Sequence, residues 1–594
     1  MRTTHILTTM LLIPALASAQ VSGQAGGAGG AQSTTGPVST DLLVPGDYPT
    51  IQGAINAARE GHRILVSEGT YNERIDFLGK GITVLGLQGP ALTIIDAGQG
   101  GSVVTFANGE TKASRLEGFT ITNGVATSGG GVYCSGASPS IIGNVITDNV
   151  THSPFGSGGG IYCYDASPAI RDNTISNNVA GRTFGGGIAC SSGSSPRIVD
   201  NLITGNMTEL AARGGGIGCS GGSNAHISGN VISYNEGFEG GGVWINDSDP
   251  IVTGNTFQFN TVVFDGGGLH CTASSSPTVT DNGFEDNSAA GNGGGLYSST
   301  SHVVVERNTF ERNSALSSGG GIFIQDASDS STISENIISD NTATSSGGGI
   351  VSQSADAEFR DNTISGNMAD GAGGGIYVSG GDPTVTGNFT ADNSAGSTGG
   401  GIHVFNSDGA FDDNLIASNF AMGDGGGCHL VDADPRIINT VVHDNMSGAE
   451  GGGVCCDNSS PTLTNNTVVA NLAAGFGGGL ACLNGSSPLV SNTILWDDDA
   501  FGGLEIWTDL SGTPTVDRCD VEFGWPGLNL ALPPLFADAD AGDFHLTAFS
   551  PLIDTGNNAA PEMPAQDYEG DDRILDGDLV PGATVDMGAD EFSD

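Results

Sequence analysis

Two sets of side chains, each recurring along the chain at nearly constant intervals, have the types that could do chemistry. Arg307 and Arg312 form the core of the first. Asp286 precedes Arg312 by 26 residues and Asp340 follows it by 28, and Asp281 and Glu335 stand at the same offsets from Arg307. If those intervals superpose, an arginine among carboxylates has the groups for a β-elimination: a base for the proton α to a uronate carboxylate, and acids to hold the Ca2+ that neutralises the substrate. The competing reading is a ladder in which acids above and below each arginine relieve its charge. The second set, Trp244, His270, Tyr297 and Phe323, follows a similar interval and resumes at Tyr377, His403 and His429. Aligned ring faces suit binding to sugars, or equally the packing of neighbouring strands against one another.

Superposing residues 26 to 29 positions apart requires a repeating element, and the sequence has one. A Gly-Gly-Gly triplet followed by an apolar residue begins fourteen times, from Gly129 to Gly477, most often 26 residues apart. Self-similarity at this period marks a solenoid, whose units bury a continuous core by stacking. After each triplet the side chains read in, out, in, as in Val132, Tyr133, Cys134, which is strand alternation. Further on come two Asn columns five residues apart. The first runs from Asn144, skips at Thr440 and resumes at Asn466 and Asn492; the second runs from Asn149 to Asn471 and ends where Asp497 replaces it. Asn tolerates left-handed backbone and its amide can bond the copies above and below, so both columns read as corners. The expectation is an all-β, right-handed parallel β-helix of about 14–15 regular coils, each with three short strands.

The triplets and paired I-x-x-N or F-x-x-N strings, such as Phe257 to Asn260 and Phe310 to Asn313, resemble the right-handed parallel β-helix superfamily of pectate lyases, pectin methylesterases and polygalacturonases. They also resemble the repeats of chlamydial polymorphic outer-membrane proteins. The resemblance implies the fold and, in the pectate lyase family, an arginine base with calcium. The polygalacturonase strings N-T-D, G-H-G and R-I-K are absent, as are H-E-x-x-H and a phosphate loop.

Residues 1–19 read as an export signal, with an apolar run from Ile6 to Ala17 before Ala17-Ser18-Ala19, and 20–40 as a Gly/Ser/Thr linker. Residues 41–115 form an N-terminal cap and first rungs, in which Ile51, Ala54, Ile55 and Ala58 share one face of a short helix. The repeats span 116–499, and 500–594 is expected to close the far end. That tail is rich in acids, Asp538, Asp540, Asp543, Asp571, Asp572, Asp576 and Asp578 among them, which are hard oxygen ligands for calcium. With 17 Lys plus Arg against 66 Asp plus Glu, net charge −49, the chain is a poor partner for nucleic acid or anionic lipid. No apolar stretch after the export signal is long enough to span a membrane. The sequence therefore points to a secreted or cell-surface protein that binds polysaccharide or surface glycan without catalysis, with a calcium-assisted uronate lyase and a surface adhesin as the alternatives. Longer connections at Val150 to Ser157, Val179 to Phe184 and Met207 to Arg213, carrying His152, Arg182, Glu209 and Arg213, mark a second candidate face. Cys134, Cys163, Cys190, Cys219 and Cys271 share one inward slot, an arrangement expected to stack free thiols rather than form disulfides.

Overall fold

The computed structural model describes residues 40–594 except 153–155, 210, 327–330, 510, 576–582 and 593–594. The expected export signal and all of the linker but Thr40 lie outside the described residues, as do Asp576 and Asp578. Residues Asp41–Asp594 form one compact unit. It is an all-β parallel solenoid of about 18 turns; the regular coils are extended by irregular rungs before Gly129 and a last turn after Leu483.

The coil that begins at Gly293 shows how the repeat folds. Its strands are Leu296–Ser299, Val304–Glu306, Thr309–Glu311 and Ser314–Ala315. Each pairs in parallel with its equivalent one coil on, Leu296 with Ile322, Val304 with Thr332, Thr309 with Ile337 and Ser314 with Thr342. There are thus four strands per coil, not three. The fourth is only two residues long, too short for a period-two pattern to register in the sequence. Inward positions form the core, where Phe257, Phe284 and Phe310 stack with ring centroids 4.5 and 4.6 Å apart. Burying each ring contributes about 2 kcal/mol.

The triplet is glycine for two reasons. Gly293 has φ +64°, in the left-handed region, and a Cβ on it would lie 2.5 Å from Leu296 O. A Cβ on Gly294 or Gly295 would come within 2.4 or 2.7 Å of the carbonyl oxygens of Gly320 and Gly321 in the next coil. The backbones of successive triplets simply run too close for side chains.

The two Asn columns divide the corner work differently from the expectation. The residue before each Asn adopts left-handed backbone, as at Arg307 and Arg312, both with φ 54°. The Asn itself is buried and forms a ladder: the backbone N–H and Nδ2 of Asn313 donate to Asn341 Oδ1 at 2.9 and 3.0 Å, and its Nδ2 also donates to Phe284 O at 2.9 Å. This corrects both ends of the columns. Asn492 is a left-handed corner residue, and Thr493 continues the ladder by accepting from Asn466. Likewise Asp497 is the corner, and Asp498 accepts from Asn471 N and Nδ2 at 2.7 and 2.9 Å.

Helix α1 (Ile51–Ala57) caps the N-terminal end, with Thr50 Oγ1 accepting from Gly53 N and the Glu73 carboxylate accepting from the N–H groups of Ile51 and Gln52. Ile51, Ala54, Ile55 and Ala58 are buried, as the spacing predicts. No helix among the described residues is long and apolar enough to cross a membrane.

The C-terminal segment departs from its expected role. Trp525 packs against the core cluster, but from Phe536 the chain folds back along the side of the solenoid. Phe544 packs with Val441 and Val469, Leu552 and Met587 pack with Ile494, and Ala589 N donates to Thr467 Oγ1 at 2.9 Å. Leu415, Val441 and Ile494 stand in one register column of the later coils, and the tail packs over that column.

All ten cysteines are free and buried. Cys134, Cys163, Cys190 and Cys219 occupy one register. A hydrogen-bonded thiol neighbour, followed by burial, pushes the Cys163 and Cys190 thiols well above their ordinary pKa. Iodoacetamide is therefore expected to leave the native protein unlabelled and to modify all ten thiols after denaturation without reductant. Mass spectrometry showing native labelling, or fewer labels on the unfolded chain, would contradict the stacked-thiol arrangement.

Candidate functional site

The arginine patch forms as the intervals predict, and its geometry selects the ladder. Arg307 Nε donates to Asp281 Oδ1 at 3.0 Å and Arg312 Nε to Asp286 Oδ1 at 3.1 Å, while their Nη1 groups bond Glu306 and Glu311. Asp340 lies one coil beyond Arg312 at the same corner position. The hydrogen bond from Asp281, with other acids nearby, holds the Arg307 guanidinium above its ordinary pKa, and Asp286 does the same for Arg312. A guanidinium made harder to deprotonate and engaged by two carboxylates is the opposite of a proton acceptor. The expectation of an arginine base here is therefore corrected.

The aromatic column is also assembled in register, Trp244 beside His270, Tyr297 and Phe323. Its rings stack, His270 on Tyr297 at 4.9 Å and Tyr297 on Phe323 at 5.4 Å. They are not available to a ligand, however: exposures are 5, 4, 8 and 3% in chain order. The first triplet glycine of each coil lies against them, so that a Cβ on Gly266 would fall 2.7 Å from His270 Cβ. Glu239, just before a triplet, reaches within 3.9 Å of His270 Nε2. Burial drives the His270 pKa down to about 3, leaving a neutral ring. A slot that points away from the core is thus covered by the chain entering each ring's own triplet, and the expected sugar-stacking strip is a second packed layer.

The same slot opens near the N-terminal end. Tyr133 and Tyr162 occupy the register position that continues through Ala189 and Gly218 to Trp244. At Gly218 the ring of Phe184 fills the slot, since a Cβ there would lie 2.6 Å from Phe184 Cδ2. Tyr133 and Tyr162, beyond that plug, are half-buried and face a recess of about 930 Å³, lined also by Tyr164, His152, Ser102 and Ser128. Ring centroids are 6.0 Å apart for Tyr133–Tyr162 and 6.3 Å for Tyr162–Tyr164, and Ser191 Oγ donates to Tyr162 Oη at 2.9 Å. Tyr164 is 45% exposed. Among the described residues the lining carries no Asp, Glu, Lys or Arg. The long connections singled out from the sequence separate accordingly. His152 reaches this recess, whereas Arg213 pairs with Glu239 at 2.6 Å and lies 5.5 Å over the Trp244 ring. The recess went unassigned in the sequence because Tyr133 and Tyr162 precede the run of rings; their shared column with Trp244 was the available signal.

A second concavity, of 950 Å³, lies between the folded-back tail and the corners of the later coils. Asp361, Asp412, Asp413, Glu562, Asp567 and Glu569 face it with Arg436. Burial raises the Asp412 and Asp413 carboxyls, so this surface already carries more acid than it can ionise comfortably.

The chain matches the right handed beta helix region family over residues 92–282, 211–364 and 338–495. These segments cover more than half of its length, and the chain belongs to that family. Among solved structures it is similar to pectate lyase Pel9A, with 15% identity over 64% of this chain and 89% of that one, TM-score 0.31. It is also similar to the PL6 family alginate lyase AlyGC, with 11% identity over 81% of this chain and 100% of that one, TM-score 0.25. A third is the A-module of the Azotobacter vinelandii mannuronan C-5 epimerase AlgE6, with 13% identity over 82% and 94%, TM-score 0.16. No curated protein matches the chain.

Proposed function

We propose that this is an exported, non-catalytic glycan-binding protein whose ligand site is the tyrosine recess, and that its ligand is a neutral sugar chain. The observation that carries this reading is the convergence of Tyr133, Tyr162 and Tyr164 on one open recess beside His152. Tyrosine combines a flat apolar face for a sugar ring with a hydroxyl for its polar edge. The uncharged lining and the net charge of −49 both disfavour a polyanionic ligand. Hydrolysis of a glycoside ordinarily employs two carboxyl groups across the scissile bond, and the recess offers none among its described residues. Export rests on the apolar run from Ile6 to Ala17 ahead of Ala19.

Retention on immobilised neutral polysaccharides, compared with polyuronates, tests the proposal. Tyr162→Ala and Tyr164→Ala are each expected to weaken binding about three- to tenfold, the value of one ring contact, and binding to vary little with salt. No retention of the wild type on any glycan, or retention indifferent to both substitutions, would refute it.

A further inference from the structure

Three separate parts of the folded-back tail bring metal-ligating side chains to one point. His545 sits on the strand Asp543–Leu546, Glu569 follows Tyr568, and Asp590 lies near the chain end. One ligand atom from each of His545, Glu569 and Asp590 lies within 4.8 Å of the others. That spacing is close to what bonds of about 2.0–2.2 Å to a shared ion require. Asp543 Oδ1 stands 2.5 Å from His545 Nδ1, and His545 Nε2 points the other way, 3.2 Å from Glu569 Oε2. A carboxylate that accepts from the far imidazole nitrogen fixes the tautomer whose Nε2 lone pair is free for an ion. A small cavity of 130 Å³ adjoins these groups, and Leu415, Val441 and Phe544 line its floor.

We propose that His545, Glu569 and Asp590 form a binding site for one divalent cation of the zinc class, with Asp543 as the residue that positions the imidazole. The donor set argues for this class over calcium, because an imidazole nitrogen suits zinc and its neighbours whereas calcium takes oxygen ligands. The charge balance supports an ion as well. Three carboxylates, those of Asp543, Glu569 and Asp590, surround a single imidazole. The site differs from the calcium sites expected of the tail acids in including a nitrogen donor, and it is independent of the tyrosine recess. An ion here ties together three segments that hold the tail against coils Leu415 to Thr467.

The test uses the full chain, stripped with chelator, dialysed free of it, and titrated calorimetrically with zinc chloride and in parallel with calcium chloride. One zinc per chain is expected, with weaker calcium binding and a higher thermal midpoint in the zinc form. His545→Gln should lower zinc affinity about 100-fold or more, and Asp543→Asn about 10- to 100-fold. Both side chains are nearly half exposed, so the variants should keep the wild-type circular dichroism. Asp540→Asn, on the neighbouring exposed turn, should bind as the wild type does. Absence of stoichiometric zinc uptake, uptake unaffected by His545→Gln, or calcium bound as tightly as zinc would each overturn the proposal. In the first case protonated His545 is itself the counter-ion of the three acids.

Discussion

Asn313→Ala is expected to destabilise the solenoid by about 3–5 kcal/mol, although the side chain is far from either candidate site and bears no charge. Its Oδ1 accepts from Asn287 N and Nδ2 at 3.1 and 3.0 Å, and its Nδ2 serves Phe284 O and Asn341 Oδ1. Alanine leaves the Asn287 N–H buried with no partner and takes one hydrogen bond from the Phe284 carbonyl, which lies in the ladder between Gly283–Glu285 and Thr309–Glu311. An orphaned group costs about 1–3 kcal/mol, and a small cavity adds to that. Because the coils contact only their neighbours, the damage is local, so hydrogen exchange at the coils of Asn287 and Asn341 should report it alongside a urea titration. Arg312→Asn, one residue earlier, is the control. It keeps a residue type that tolerates φ 54° and removes only the exposed ion pairs to Asp286 and Glu311, so its effect should be far smaller. Equal effects of the two substitutions would mean that the amide ladder is not what holds the coils together.

The second large effect is on pH dependence, at the place where the ladder ends in an acid. Asp498 and Glu505 are each 3% exposed, and Asp498 Oδ2 and both Glu505 carboxyl oxygens have no other hydrogen-bond partner. Burial pushes the Asp498 carboxyl up to about 8, and burial together with the charge of Asp498 pushes Glu505 higher still. The folded protein therefore binds protons that the unfolded chain releases near pH 4. The sign follows: stability from this pair is complete below about pH 4 and is lost as the pH rises through the folded pKa, at about 1.4 kcal/mol per unit for each group. Asp498→Asn extends the amide ladder by one member and removes one of those protons. Relative to the variant, the wild type should lose about 2–3 kcal/mol between pH 5 and 7. Other buried acids, such as Asp520 and Asp586, tilt both curves the same way and cancel in the difference. Superimposable stability profiles for the two proteins would rule out a buried proton on Asp498.

The coiled architecture was legible because its causes repeat. Triplet glycines, inward apolar residues and ladder asparagines each recur at one offset, so fourteen copies state the rule. Positions within a coil were less legible where two neighbours share a chemistry. At Asn492-Thr493 and Asp497-Asp498 both residues could stand in the ladder, and only the backbone shows which one takes the left-handed corner. The candidate site was harder still. Alternation shows that Trp244 and Tyr162 point the same way relative to the core, but not that the approach to the triplet covers one and leaves the other in a recess. That outcome depends on loops of different length and on Phe184, which fills the gap left by Gly218. The tail was read as a lid because nothing local distinguishes closing an end from lying along a side; its contacts are with Val441 and Ile494, more than forty residues upstream of Phe536.

Parallel register has one further consequence. Ten successive pairings, each joining equivalent strands, lead from the coil of Tyr162 to that of His429, whose neighbouring strand Val441–His443 lies under the tail. At ~4.8 Å per step, the tyrosines and the tail are held about 50 Å apart by a graduated bar. Excising one 26-residue unit, such as 373–398, would shorten that separation by a single graduation while leaving the ligand groups at either end unchanged. Reach is therefore set independently of affinity, by the number of coils alone.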